Sequence, residues 1–295
     1  MATDNCVLLG DNLDVLPTFA DGSFQMIYVD PPFNTGKQQV RRTLSTEADL
    51  EGDRTGFGGR RYATKLLRES SYLDEFDDYL AFLEPRLRQA RRVLAMTGTF
   101  YFHIDYREGH YCKLLLDEIF GRENFLNEII WAYDYGARSK SRRPAKHDTI
   151  LVYVKDPAAY YFDAEEVDRE PYMAPGLVTP EKVARGKLPT DVWWHTIVPT
   201  NGREKTGYPS QKPEGIVRRM VLASTRPGDR CLDFFGGSGT LGAVAAKTGR
   251  RFVLIDSNPE AVRVATERLD RLDVETPASF VHAADEHSAI NGALF

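Results

Sequence analysis

Two short stretches carry residue types that can do chemistry together. Residues 28–36 read YVDPPFNTG, a strand-like apolar run that meets an acid, two prolines and an aromatic ring. Proline fixes its own φ and disfavours helix in the residue before it, so Asp30 and the Pro31 carbonyl are held at the strand end with little freedom. Pro32 stiffens the turn further. A carboxylate and a carbonyl side by side accept both protons of an NH2 group, and Phe33 offers a face on which a flat heterocycle stacks. Such an amine is a weak nucleophile because its lone pair is spread into the ring. Hydrogen bonds to two acceptors favour a pyramidal nitrogen, and the charge of Asp30 stabilises the positive charge that grows there during attack. Standing alone, the same residues also describe a turn that ends a strand.

The second stretch, residues 231–242, reads CLDFFGGSGTLG and sets a glycine cluster between an apolar strand and a helix. Gly236, Gly237 and Gly239 let backbone approach a ligand, and the helix N-terminus offers free N–H groups. Gly237, Gly239 and Gly242 spell GxGxxG, and Asp256, ending the next strand, suits two ribose hydroxyls. A nicotinamide-dependent oxidoreductase therefore stands as one reading. Asp233 at the mouth of the loop favours another, because a carboxylate repels a pyrophosphate and attracts an ammonium or sulfonium group. S-adenosylmethionine has that charge pattern.

These residues need strands to present them, and the patterning supplies strands. CVLLG and QMIYVD are short β-rich runs with the helical NLDVLPTF between them. From Tyr72 a helical repeat leads to the strand GTFYFHID, the helix HYCKLLLDEIF and the strand TILVYVKD. Helix and strand alternate again from Pro213 to Leu269. This predicts an α/β fold with a Rossmann-like, mostly parallel sheet and helices on both faces. The alternation fails at 36–71, read as a long mobile loop, and at 156–206, read as a small inserted target-recognition module. The expected division is 1–155, 156–206 and 207–274, with a tail at 275–295.

With 295 residues, 42% of them hydrophobic and 27% charged, the chain is long enough for a substantial core. It contains no apolar run of the roughly 20 residues needed to cross a bilayer, and no signal-like N-terminal stretch, so a cytoplasmic location is expected. Cys6, Cys112 and Cys231 are scattered, which predicts buried thiols, with neither disulfides nor a metal site. A net charge of -5 argues against a protein that coats nucleic acid by bulk attraction. Two basic clusters run against that sum: Arg60 and Arg61, with Lys37 nearby, and Arg138, Lys140, Arg142 and Arg143.

DPPF after an early strand and FGGSGT after a late one resemble the β group of amino-methylating DNA methyltransferases. LLGDNLDVL, NEIIWAY and YPSQKPEGIVRRMV resemble further family segments in the expected order, from about residue 5 to 270. The resemblance implies that Asp30, Pro31, Pro32 and Phe33 form the catalytic tetrapeptide, with Asp30 also near the methyl donor. It implies S-adenosylmethionine against Asp233, Phe235, Gly236 and Gly239, its ribose on Asp256, its adenine near Asp11 and its carboxylate near Lys212. Asp11 as a helix cap and Lys212 as a surface lysine are the plainer alternatives. His103 and Asp105 are expected beside the target pocket or in the core.

Double-stranded DNA is the implied partner, with the basic clusters on phosphates and the target base turned out of the stack. A companion restriction endonuclease and a homodimer are compatible with the resemblance. Aspartate at the head of the tetrapeptide favours adenine N6 over cytosine N4, since serine is common among the cytosine enzymes. Two other classes stay in view, the oxidoreductase and a DNA-binding subunit without catalysis.

Overall fold

The computed structural model describes residues 5–34, 37–48, 54–55, 61–74, 76, 78–136 and 138–272, with backbone only for 37–74. In chain order the elements are β1 (Cys6–Leu9), α1 (Asn12–Val15), β2 (Phe24–Val29), β3 (Lys37–Ala48), β4 (Arg54–Thr55), β5 (Arg61–Asp74), α2 (Tyr79–Val93), β6 (Leu94–Ile104) and α3 (Gly109–Phe120). There follow β7 (Phe125–Ala132), β8 (His147–Val154), α4 (Pro180–Arg185), β9 (Val192–Trp194), α5 (Glu214–Ser224), β10 (Arg230–Asp233), α6 (Thr240–Lys247), β11 (Arg251–Asp256) and α7 (Pro259–Asp270).

Eight strands form one sheet in the order β1-β11-β10-β2-β6-β8-β7-β9. From β1 to β6 every pairing is parallel; β8 runs antiparallel to both its neighbours, and β9 is parallel to β7. The two-residue period of a strand divides the core between the faces. Phe24, Ile27 and Val29 of β2 join Phe100, Phe102 and Ile104 of β6 under α2 and α3. Met26 and Tyr28 face the other way with Tyr101, under α5 and α6. Sides buried on both faces explain why these strands read as continuous apolar runs. All three cysteines are free and buried, as their scatter predicts.

Polar caps set where the helices begin. Asp78 accepts from the Ala81 N–H at 2.9 Å at the head of α2, and Asn258 accepts from the Glu260 N–H at 2.9 Å ahead of Pro259 in α7. No helix among the described residues is long and apolar enough to cross a membrane.

The stretch 36–71, read from sequence as a loop, contains strands. β3 and β5 form an antiparallel ladder from Lys37 opposite Asp74 to Ala48 opposite Tyr62, with β4 on the far side of β5. Leu44 stands opposite Leu66, Thr46 opposite Thr64 and Arg42 opposite Glu69. The stabilising unit of such a ribbon is the cross-strand pair, which a scan for apolar runs does not register. Lys37 and Arg61 open β3 and β5; Arg60 lies outside the described residues. The tail at 275–295 also lies outside them.

Residues 156–206 pack onto the main sheet through a few short elements. β9 extends the sheet beside β7, the Trp193 indole donates to the Thr190 carbonyl at 2.7 Å, and Val167 packs with Leu222 and Ala223 of α5.

Candidate active site

β2 and β10 are neighbours in the sheet although 200 residues separate them in the chain, with Cys231 opposite Met26 and Leu232 opposite Ile27. Asp30 and Asp233 therefore emerge side by side at the carboxyl ends of parallel strands, where open α/β sheets bind ligands. A cavity of about 460 Å³ opens there. Asp30, Pro31, Pro32 and Phe33 line one side; Asp233, Phe235, Gly236 and Asp256 line the other, with Lys212 between.

Each side is braced from behind. The Tyr79 hydroxyl donates to the Pro32 carbonyl at 2.6 Å, and Asn34, at φ 52, donates to Glu108 at 2.9 Å. Under Phe33 lies His103, fully buried, with ring centroids 5.9 Å apart. His103 Nδ1 is 2.9 Å from the Tyr28 hydroxyl and Nε2 is 3.2 Å from Asp148, which also accepts from Tyr133 at 3.0 Å. Burial alone would push Asp148 up, but hydrogen bonds from His103 and Tyr133 and the charge of Lys212 hold it below the usual carboxylate range. An anionic Asp148 selects the tautomer with Nε2–H, leaving Nδ1 to accept from Tyr28. Asp105 is held by Arg107 instead, so His103 and Asp105 support the site from the core and neither lines the cavity.

The glycine loop is built by its own hydrogen bonds. The Gly239 N–H donates to the Gly236 carbonyl at 2.8 Å, and Gly237 and Gly239 have φ of 49° and 73°, a region that favours glycine. The Gly237 N–H donates to Asp256 at 2.8 Å and the Phe235 N–H to Asp233 at 2.9 Å. Burial, with smaller contributions from Asp30 and Asp256, pushes the Asp233 carboxyl well above its ordinary value against the pull of the Phe235 N–H and Lys212. Burial also pushes Asp256 up. A buried and a half-buried carboxyl group at one cavity make it a place for a cation with hydroxyl groups.

Of the residues singled out from sequence, Gly239 and Asp11 are not in the cavity wall. Gly239 shapes the loop and caps α6. Asp11 caps α1 through the Leu13 N–H at 2.9 Å and pairs with Arg86 at 3.1 Å. Arg86 in turn lies 3.9 Å above the ring of Phe82, which does line the cavity. Lys212 is buried and its ammonium is ion-paired with Asp30, 4.7 Å from the Phe33 ring centroid. Tyr28, Phe76, Phe82 and Tyr208 add aromatic rings to the wall, and none of them was assigned a role from sequence. Tyr208 stood in the quoted YPSQKPEG; Phe76 and Phe82 carry only a helical repeat. Arg138, Lys140, Arg142 and Arg143 are exposed between β7 and β8.

Comparison with known proteins identifies the family. The chain is 30% identical over 272 residues to the DNA adenine methyltransferase YhdJ of Escherichia coli (strain K12), covering 90% of this chain and 82% of that protein. It is 29% identical over 267 residues to the type II methyltransferase M.HpaI of Haemophilus parainfluenzae, covering 90% and 74%. Among solved structures, PvuII DNA methyltransferase (cytosine-N4-specific) has a TM-score of 0.61 at 16% identity over 99% of this chain and 93% of that one. The complex of M1.HpyAVI with SAM has a TM-score of 0.58 at 19% identity, covering 90% and 98%. Residues 24–267 match the family model described as DNA methylase, a span that includes both sides of the cavity, and the chain belongs to that family.

Proposed function

We propose that this DNA methyltransferase modifies the N6 amine of adenine in double-stranded DNA, using S-adenosylmethionine. One observation carries the reading: the DPPF turn and the glycine loop open on the same cavity, with Asp30 and Asp233 on adjacent parallel strands. The resemblance to YhdJ, named a DNA adenine methyltransferase, favours adenine. Cytosine N4 remains the second reading, since the same two acceptors suit either amine and PvuII methyltransferase shares the fold.

The donor set fits a sulfonium ligand, because Asp233 is a carboxylate held in burial at a cavity wall beside glycine backbone. When bound, S-adenosylmethionine supplies an electrophilic methyl group. Asp233, Phe235, Gly236 and the Gly239 turn would hold its methionine part, and Asp256 its ribose. The carboxylate and carbonyl of Asp30 and Pro31 accept the amine protons while Phe33 stacks on the ring. Asp30 Oδ1 is buried without a hydrogen-bond partner, a preformed acceptor for such a proton. The charge of Asp30 then favours the cationic nitrogen formed during attack. Purified protein incubated with unmodified DNA, followed by nucleoside analysis, tests the reading. N6-methyladenine supports it; N4-methylcytosine transfers it to the second base.

The base must leave the stack to reach Asp30. Residues 1–155 act as the catalytic half and 207–274 as the donor-binding half, with sequence reading assigned to 156–206. Lys37, Arg60 and Arg61, together with Arg138, Lys140, Arg142 and Arg143, contact phosphates in this reading. Replacing Arg142 and Arg143 together with alanine should weaken DNA binding and lower the slope of log K against log salt by about 1.8, or 0.9 per lost phosphate contact. An unchanged slope, measured by fluorescence anisotropy across salt concentrations, would turn that segment away from DNA. Relatives named type II methyltransferases favour a cognate endonuclease for the same sequence. A homodimer, testable by sedimentation, would share sequence reading between two short recognition segments.

Asp233 predicts a pH dependence. Its raised pKa means that the folded free protein holds a proton that the unfolded chain has lost. This contribution to stability is complete below the ordinary carboxylate range and is lost as pH rises through the raised value. A cationic ligand prefers the ionised form, so affinity for S-adenosylmethionine should rise over the same window, by up to about tenfold per pH unit for one proton released. Calorimetry in buffers of different ionisation enthalpy measures that proton directly; none released would mean Asp233 is already ionised.

A further inference from the structure

The ammonium of Lys212 sits on the carboxylate that the substrate amine is expected to use. It donates to Asp30 Oδ2 and sits 4.7 Å from the Phe33 ring centroid, so a cation of the protein already uses both the acceptor and the stacking ring. Its side chain is 9% exposed and that of Asp30 17%. Asp30 Oδ1 remains unpartnered. A base amine reaching Oδ1 with the lysine still on Oδ2 would meet a neutralised carboxylate and a neighbouring positive charge. Both oppose the positive charge that must develop on nitrogen, and at a few ångströms the opposition is strong. Lys212 must therefore leave Asp30 before transfer.

The way it can leave is also visible. The Lys212 carbonyl accepts from the Thr240 hydroxyl at 3.2 Å, and Thr240 accepts from Arg268 at 2.9 Å, so the backbone is tied to the start of α6 and the ammonium leaves Asp30 by rotation of its four-carbon stem. Its ammonium needs another anion within reach. The methyl donor brings one, the carboxylate of its methionine part.

We propose that Lys212 neutralises the Asp30 carboxylate in the free enzyme and leaves it for the carboxylate of the bound methyl donor, so that donor binding licenses capture of the base. The inference rests on Asp30 being the amine acceptor, as in the function proposed above. Coupling of this kind is reciprocal: whatever factor the donor adds to base capture, the captured base adds to donor affinity.

The test uses a duplex that the wild-type enzyme methylates at a mapped adenine, with 2-aminopurine as the neighbour of that adenine to report its extrusion. Titrations are run with no ligand, with saturating S-adenosylhomocysteine, and with saturating methylthioadenosine, which lacks the amino-acid part. For the wild type, S-adenosylhomocysteine should tighten extrusion about tenfold, within the usual 5–150-fold range of such couplings, and methylthioadenosine should leave it unchanged. Lys212→Met should extrude the base without any ligand and show no coupling. Lys212→Arg, which keeps the cation, should retain coupling, and this arm and the wild-type arm stand whatever the folding of the methionine variant. Equal extrusion in all three wild-type titrations, or equal enhancement by both ligands, overturns the role of Lys212. Because the duplex is one the enzyme methylates, that result leaves methyl transfer itself standing.

Discussion

Asp30→Ala should lower methyl transfer by at least 10²–10³-fold, on the order found when one preorganised electrostatic group is removed from an active site, while S-adenosylmethionine still binds. The loss has two origins. The variant has no charge to stabilise the cationic nitrogen, and it lacks one of the two acceptors that favour a pyramidal amine. It also strands the buried ammonium of Lys212, whose partner in the structure is Asp30. Breaking a buried ion pair from one side costs about 3–5 kcal/mol, and this pair, partly open to solvent, should cost less. The free variant should therefore melt earlier than the wild type and recover part of the difference with S-adenosylhomocysteine. Single-turnover transfer and thermal melting, each with and without ligand, separate the two effects. Wild-type turnover in Asp30→Ala would end the proposed mechanism.

Gly239→Ala should fail for steric reasons. Gly239 has φ +73, where an L side chain is strained, and an added Cβ would lie 2.9 Å from the Ala265 Cβ and 3.2 Å from its Cα. The obstruction is another helix, so it cannot rotate aside as the end of a flexible side chain would. The left-handed strain costs about 1–3 kcal/mol and the overpacking about as much again. Donor affinity should fall as well, because the Gly239 N–H holds the Gly236 carbonyl and so the shape of the turn. Gly176→Ala is the control, since its Cβ would meet nothing within 4 Å. Denaturant melts and donor titration of both variants check the claim; equal behaviour would show that α6 and α7 part easily.

The site was legible where chemistry is local. A strand ending in Asp30 before two prolines, and a strand ending in Asp233 before glycines, announce their own backbone geometry. The sheet was legible too, because Met26 and Ile27 or Phe252 and Val253 alternate between two buried faces. Long-range partners were not. Nothing near Lys212 in the chain indicates Asp30, and nothing near Asp11 indicates Arg86, since only the closed fold brings them together. The β3–β5 ribbon stayed hidden because its pairing is local and its sequence mostly polar, a composition shared with irregular segments.

The adjacency of β2 and β10 has a consequence for how the enzyme is made. Contacts between segments this distant in the chain carry a large loop-closure cost and form late in folding. Asp30 leaves the ribosome early, but its neighbour Asp233 and Asp256 across the cavity are synthesised more than 200 residues afterwards. A nascent chain thus presents the DPPF turn with no glycine loop beside it. Under the proposed function, a truncated product ending before β10 would carry the whole DPPF turn and modify no DNA.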